Sequence, residues 1–133
     1  MKYLIDTQIL IWFQLDDKRL SNEILSLLMD VDNFIYVSMI SLYEIAIKQK
    51  TGKLSEFPAS IEDIISVSNQ DGFEILPITE KHISNYSRIP LSETHKDPFD
   101  RLILSTALTE NLIIISADDK FKLYTTQIEL IIA

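Results

Sequence analysis

Residues 112–119 read Leu-Ile-Ile-Ile-Ser-Ala-Asp-Asp, and the reading of this stretch decides the fold. Leu112 to Ile115 is the most apolar run in the chain, and it is too short for a helix. A strand with one wet face would alternate apolar and polar residues. An uninterrupted run predicts a strand covered on both faces, as in a parallel sheet. The segment before it predicts the covering helix. Asp97-Pro98 is a helix start, with Asp as cap and Pro in the first turn, and the apolar residues Leu102, Ile103 and Ala107 carry it to about Asn111.

The same alternation extends outward through the chain. Tyr3–Ile5, Phe34–Val37 and Phe73–Leu76 predict three more strands, with a terminal one at Ile128–Ile132. Ile9–Phe13 has helical spacing. Ser21 caps a helix bearing Ile24, Leu25, Leu27 and Leu28, and Ser38 or Ser41 opens another that stops at Gly52. Ser60 and Thr79 start two more, Ile89–Lys96 is a loop, and a short helical turn is expected near Phe121. Strands alternating with helices predict an α/β fold, a three-layer α/β/α sandwich with a central mainly parallel sheet. No linker, repeat or low-complexity tract divides residues 1–133, so one domain is expected.

Composition removes several function classes. The chain has no Cys, which excludes thiolate catalysis and cysteine-ligated zinc or iron–sulfur centres. Its two glycines, Gly52 and Gly72, are too far apart for a dinucleotide-binding fingerprint, and no phosphate-cradling glycine loop exists. A net charge of −8 argues against binding nucleic acid through bulk charge, although a bound cation or local basic patch inverts that field. Asp6 interrupts the N-terminal apolar run, so no secretory leader is expected. No run reaches the ~18 apolar residues of a membrane span, and the expected address is the cytoplasm.

Ligand sites of open parallel sheets lie beyond the carboxyl ends of the strands. Asp6 ends the first strand there, and Ser116 and Asp118 follow the fourth. Glu44 lies about a turn into the helix after the second strand, and Asp97 and Asp100 open the helix before the fourth. Each has a local explanation. Asp6 can cap the helix starting at Thr7. Ser41-x-x-Glu44 is a capping-box pattern, and Glu44 and Lys48 are an i,i+4 pair. Asp97 and Asp100 suit a helix N-terminus, and Asp118 and Asp119 suit a turn. Convergence on one edge would instead give clustered carboxylates, which must share protons or hold a hard cation such as Mg²⁺ or Mn²⁺.

Four ordered segments, LIDTQILIW, SMISLYEIAIK, HKDPFDRLILSTA and LIIISADDKF, resemble the motifs of PIN-domain ribonucleases, and more narrowly the VapC-like toxins of toxin–antitoxin pairs. The resemblance spans essentially the whole chain. It implies a PIN-like fold and a Mg²⁺- or Mn²⁺-dependent endoribonuclease that hydrolyses RNA to a 3′-hydroxyl and a 5′-phosphate. It implies Asp6, Glu44, Asp100 and Asp118 as the catalytic and metal-holding acids. Asp97 is a further metal candidate ranked below Asp100, and Thr7 and Ser116 are supporting residues. Ser116 stands where the family more often has Thr, and Asp119 adjoins Asp118. A homodimer and a cognate antitoxin are implied as partners, with the helix from Ser21 to Met29 and the Tyr43–Ile47 segment as candidate antitoxin contacts.

The few cations cluster beside these acids in sequence, so Lys48, Lys96, Arg101 and Lys120 are candidate RNA-phosphate contacts. His95, in a loop beside a lysine, is expected to be solvated, and His82 to lie on a surface helix. Trp12 is expected in core or interface. Two rival readings exist. A phosphoacceptor signalling domain needs an adjacent acid pair after the first strand, where only Asp6 stands. A catalytically silent binding module on the same fold would need none of the acids.

Overall fold

Tyr3, Leu4 and Ile5 are all buried, yet they enter two different cores, Tyr3 and Ile5 on one side and Leu4 on the other. The computed structural model, which describes residues 1–133, shows the same division in Ile114 and Ile115. Successive side chains of a strand point to opposite faces, so a sheet covered on both faces demands apolar residues at every position. Each of these fully buried isoleucines contributes roughly 2–3 kcal/mol by leaving water.

The strands are β1 (Lys2–Ile5), β2 (Phe34–Ser38), β3 (Glu74–Leu76), β4 (Ile113–Ser116) and β5 (Leu130–Ile132). They form one five-stranded sheet in the order β3-β2-β1-β4-β5, and every pairing is parallel. The helices are α1 (Thr7–Gln14), α2 (Asn22–Met29), α3 (Met39–Lys50), α4 (Ile61–Gln70), α5 (Glu80–Ser84) and α6 (Pro98–Glu110), with 3₁₀ turns at Asn85–Arg88 and Asp119–Tyr124. Residues of α1, α2 and α4 close the larger core over one face, and α6 with the Asp119–Tyr124 turn closes the smaller core over the other. The expected three-layer α/β/α arrangement is thus present, with a sheet that is wholly parallel. No helix is long and apolar enough to cross a membrane.

Local chemistry explains the element ends. Ser21, Ser60 and Thr79 each accept a backbone N–H with the side-chain oxygen at the starts of α2, α4 and α5. Ser38, rather than Ser41, caps α3, so the Ser41–Glu44 capping box does not form and both side chains are freed for tertiary contacts. The last strand starts at Leu130 instead of Ile128, because the Ile128 amide bonds back to the Tyr124 carbonyl and closes the preceding turn.

His82 departs from expectation. It is 1% exposed, and its Nδ1 accepts from the Thr79 amide while its own amide donates to Thr79 Oγ1. This is a capping box with histidine in the place usually taken by glutamate, and it draws the ring inward.

Candidate metal centre

The sheet order reverses between β1 and β4. The chain proceeds from β1 outward to β2 and β3, then returns to lay β4 on the other side of β1. Neighbouring strand ends whose connections leave in opposite directions open a crevice, the usual ligand site of such sheets. Ile5 pairs with Ile115, so the next residues, Asp6 and Ser116, face one another across it, and the Asp6 amide donates to the Ile115 carbonyl at 3.0 Å.

Asp6 is 4% exposed. Its Oδ1 accepts from the Ile9 amide at 2.9 Å, capping α1; its Oδ2 accepts from Ser116 Oγ at 2.5 Å and the Ala117 amide at 3.1 Å. Ser116 Oγ also accepts from the Asp118 amide at 2.9 Å, which fixes the turn carrying Asp118. Burial pushes the Asp6 carboxyl up to about 6, against the lowering effect of its donors, and the charge of Asp118 raises it further. The capping reading and the site reading of Asp6 are therefore both satisfied by one side chain.

Glu44 is 7% exposed on α3. Thr7 Oγ1 donates to its Oε1 at 2.7 Å and lies 2.9 Å from Ser41 Oγ, while Lys48 Nζ donates to its Oε2 at 2.9 Å. The expected i,i+4 pair forms and points into the crevice. Asp97 caps α6, its Oδ1 accepting from the Phe99 and Asp100 amides. Asp100, one turn in, is pushed up to about 6 by burial, with Asp97 and Glu44 adding to the rise and the hydrogen bond from His95 opposing it. Asp118 caps the following 3₁₀ turn through the Lys120 amide at 2.9 Å. Asp119 is exposed, with its Oδ1 3.3 Å from Lys122 Nζ.

Asp6, Glu44, Asp97, Asp100 and Asp118 line one open concavity, whose wall also includes Thr7, Lys48 and Lys120. Ligand atoms of His95, Asp100 and Asp118 lie within 4.8 Å of one another. The carboxylates of the concavity offer hard oxygen donors, and two are held above their ordinary range, Asp6 chiefly by burial with the charge of Asp118 behind it, and Asp100 chiefly by burial with the charges of Asp97 and Glu44. These residues fit a small divalent cation, which would relieve that repulsion.

The structure revises three expectations. Arg101 is not available to RNA: it is 3% exposed, and its guanidinium donates to Tyr86 Oη, Tyr124 Oη and the carbonyls of Ile89 and Pro90. Desolvating a guanidinium requires that its fork be filled, and here the protein fills it. Lys96 lies outside the acidic concavity, where its Nζ sits 3.3 Å from Glu93 in a separate hollow. His95 is 2% exposed instead of solvated, with Nε2 3.0 Å from Asp100 Oδ2 and Nδ1 3.0 Å from Tyr124 Oη. Trp12, as expected, packs partly buried against the larger core, and it also reaches the rim of the concavity, with Arg19 stacked 5.1 Å above its ring and held there by Asp17 at 2.7 Å. No spacing rule marks Arg19, because its place follows from the turn after α1.

Comparison with known proteins agrees with this architecture. The family model described as PIN domain matches residues 3–126. No curated protein matches the chain in sequence. Among solved structures, the chain is similar to VapBC2 from Rickettsia felis bound to a DNA fragment from its promoter, with a TM-score of 0.69 and 21% identity over 98% of each chain. It is similar to VapBC-1 from nontypeable Haemophilus influenzae, with a TM-score of 0.68 and 19% identity over 99% of this chain and 98% of that one. VapBC-5 from Mycobacterium tuberculosis, a member of the VapBC family of toxin–antitoxin systems, gives 0.68 and 17% identity over the same shares. At these identities the likeness to the solved structures is one of fold.

Proposed function

Because the chain belongs to the PIN-domain family, a family of nucleases, we propose that it is a Mg²⁺- or Mn²⁺-dependent endoribonuclease and the toxin of a toxin–antitoxin pair. The observation that carries this reading is the meeting of Asp6, Glu44, Asp100 and Asp118, drawn from four separate stretches of chain, in one concavity where two carboxyls are pushed up to about 6. Ordinary caps and turns have no reason to converge.

In this reading Asp6, Glu44, Asp100 and Asp118 hold the cation, with Asp97 at the margin. A divalent ion there supplies Lewis-acid activation of water and charge neutralisation at a phosphodiester. Ser116 and the Ala117 amide keep Asp6 fixed, and Thr7 keeps Glu44 fixed, so neither carboxylate has to reorganise as charge develops. Lys48 and Lys120, on the same wall, offset the acidic repulsion and contact backbone phosphates. Arg101, sealed in the smaller core, has no part in this, and Lys96 lies outside the concavity. RNA is the substrate, hydrolysed to a 3′-hydroxyl and a 5′-phosphate, in the cytoplasm.

An antitoxin and a second copy of the chain are the expected partners, in keeping with the toxin–antitoxin systems among the structural neighbours. Met29 at the end of α2 is 65% exposed, and Tyr43 and Ile47 on α3 are 60% and 36% exposed, which suits the antitoxin contacts expected there. The test is incubation of purified protein with single-stranded RNA and Mn²⁺, followed by end-group analysis. Internal cuts bearing 5′-phosphates are expected. An RNA left intact, by protein whose expression does not slow growth, would favour the silent binding module.

A further inference from the structure

Asp100 differs from the other acids of the site in how it is held. Its neighbour His95 is sealed from water between Phe121 and Tyr124, with ring centroids 5.4 Å from each. Hydrogen-bond accounting points to one direction for the chain behind it, the one in which every polar proton has a partner. Arg101 Nη1 can only donate, and it donates to Tyr124 Oη at 3.1 Å. The single Tyr124 proton has one other partner within reach, His95 Nδ1, at 3.0 Å. Nδ1 is then the acceptor, the ring proton sits on Nε2, and that N–H donates to Asp100 Oδ2 at 3.0 Å. Asp100 Oδ1 accepts no hydrogen bond from the chain.

Resting on the nuclease reading above, we propose that Arg101, Tyr124 and His95 are a positioning relay for the cation site. A permanent buried charge sets the tyrosine proton, the tyrosine sets the imidazole tautomer, and the imidazole commits one oxygen of Asp100 to the protein. The other oxygen is left to a cation, as a one-oxygen ligand. His95 is therefore a positioning residue rather than a ligand: in this tautomer Nε2 carries a proton and has no lone pair to offer. Partners behind metal-binding carboxylates are worth ~10–100-fold in metal affinity. Burial strengthens the effect here, since no water competes for the N–H. The four protein acceptors around Arg101 explain why its charge is tolerated so deep in the smaller core.

The experiment is Mn²⁺ titration followed by electron paramagnetic resonance, on full-length wild type, His95→Gln and His95→Asn. Melting curves confirm that each variant is folded at the titration temperature. Gln keeps an amide donor at the place of Nε2. Asn reaches only the place of Nδ1, so it can meet Tyr124 but not Asp100. The relay predicts that H95N loses ~10–100-fold in Mn²⁺ affinity while H95Q stays within about threefold of wild type. H95N binding as tightly as wild type would overturn the relay and leave the nuclease reading intact. Equal losses in H95N and H95Q would overturn it too, showing that the imidazole itself is a ligand or that only packing matters. A wild-type chain that takes up no Mn²⁺ would bring down the relay and the nuclease reading together.

Discussion

Ser116 Oγ donates to Asp6 Oδ2 at 2.5 Å, joining residues 110 positions apart where the ends of β1 and β4 lie side by side. Ser116 is fully buried, and the same hydroxyl accepts from the Asp118 amide. One side chain therefore sets two acids. Ser116→Ala is predicted to leave the sheet intact and to lower the rate of RNA cleavage ~10–100-fold. Unchanged cleavage with a normal melting curve would show that the Asp6 carboxylate needs no such support.

The two Asp residues that open α6 divide their work. Asp97 is exposed and caps the helix, and Asn caps nearly as well, so Asp97→Asn should fold and keep much of its activity. Asp100 is half-buried and faces Glu44 across the concavity. Asp100→Asn is predicted to lose far more activity than Asp97→Asn in parallel cleavage assays. Equal residual rates would reverse the ranking.

Stability should fall as pH rises. The Asp6 and Asp100 carboxyls are pushed up from 3.8 to about 6 in the folded chain, by burial first and by neighbouring acids second. The native state therefore keeps protons that the unfolded chain has released. The stability this confers is full below pH 4 and is lost as pH rises toward 6. Melting curves of metal-free protein should give a lower Tm at pH 7.5 than at pH 5. Mn²⁺ should raise Tm more at pH 7.5, where both carboxylates are free to bind it. A Tm that climbs from pH 5 to 7.5 without metal would contradict this.

Basic residues close in sequence separate into two classes. Lys120 is exposed on the wall of the acidic concavity, and Lys120→Ala should weaken RNA binding evenly across sequences and lower the salt-dependence slope by about one. Arg101→Lys should leave that slope alone and instead lower Tm, because an ammonium cannot satisfy the four acceptors that surround the guanidinium. Binding isotherms over a salt series, with melting curves beside them, distinguish the two outcomes.

The sheet was legible because a buried parallel strand declares itself in an unbroken apolar run, as at Leu112–Ile115. The positions of Asp6, Ser116 and Asp118 followed from strand ends alone. What escaped was the wall behind Asp100. A histidine beside Lys96 reads as solvated, and its burial depends on Tyr124, 29 residues away in a 3₁₀ turn that has no periodic signal. Arg101 carried a signal that charge obscured. It shares helical spacing with Leu104 and Ser105, both fully buried, so the inner stripe of α6 passes through it. His82 was likewise hidden, since histidine is not the usual partner in a capping box.

In the proposed reading Asp6, Glu44, Asp100 and Asp118 act through a shared divalent cation. The most direct test is RNA cleavage by wild type and Asp6→Asn, each with Mg²⁺ or Mn²⁺ and again with excess chelator. Wild type should cut only with the cation present, and the variant should be inactive throughout. Cutting that survives the chelator, or a fully active variant, would contradict the account.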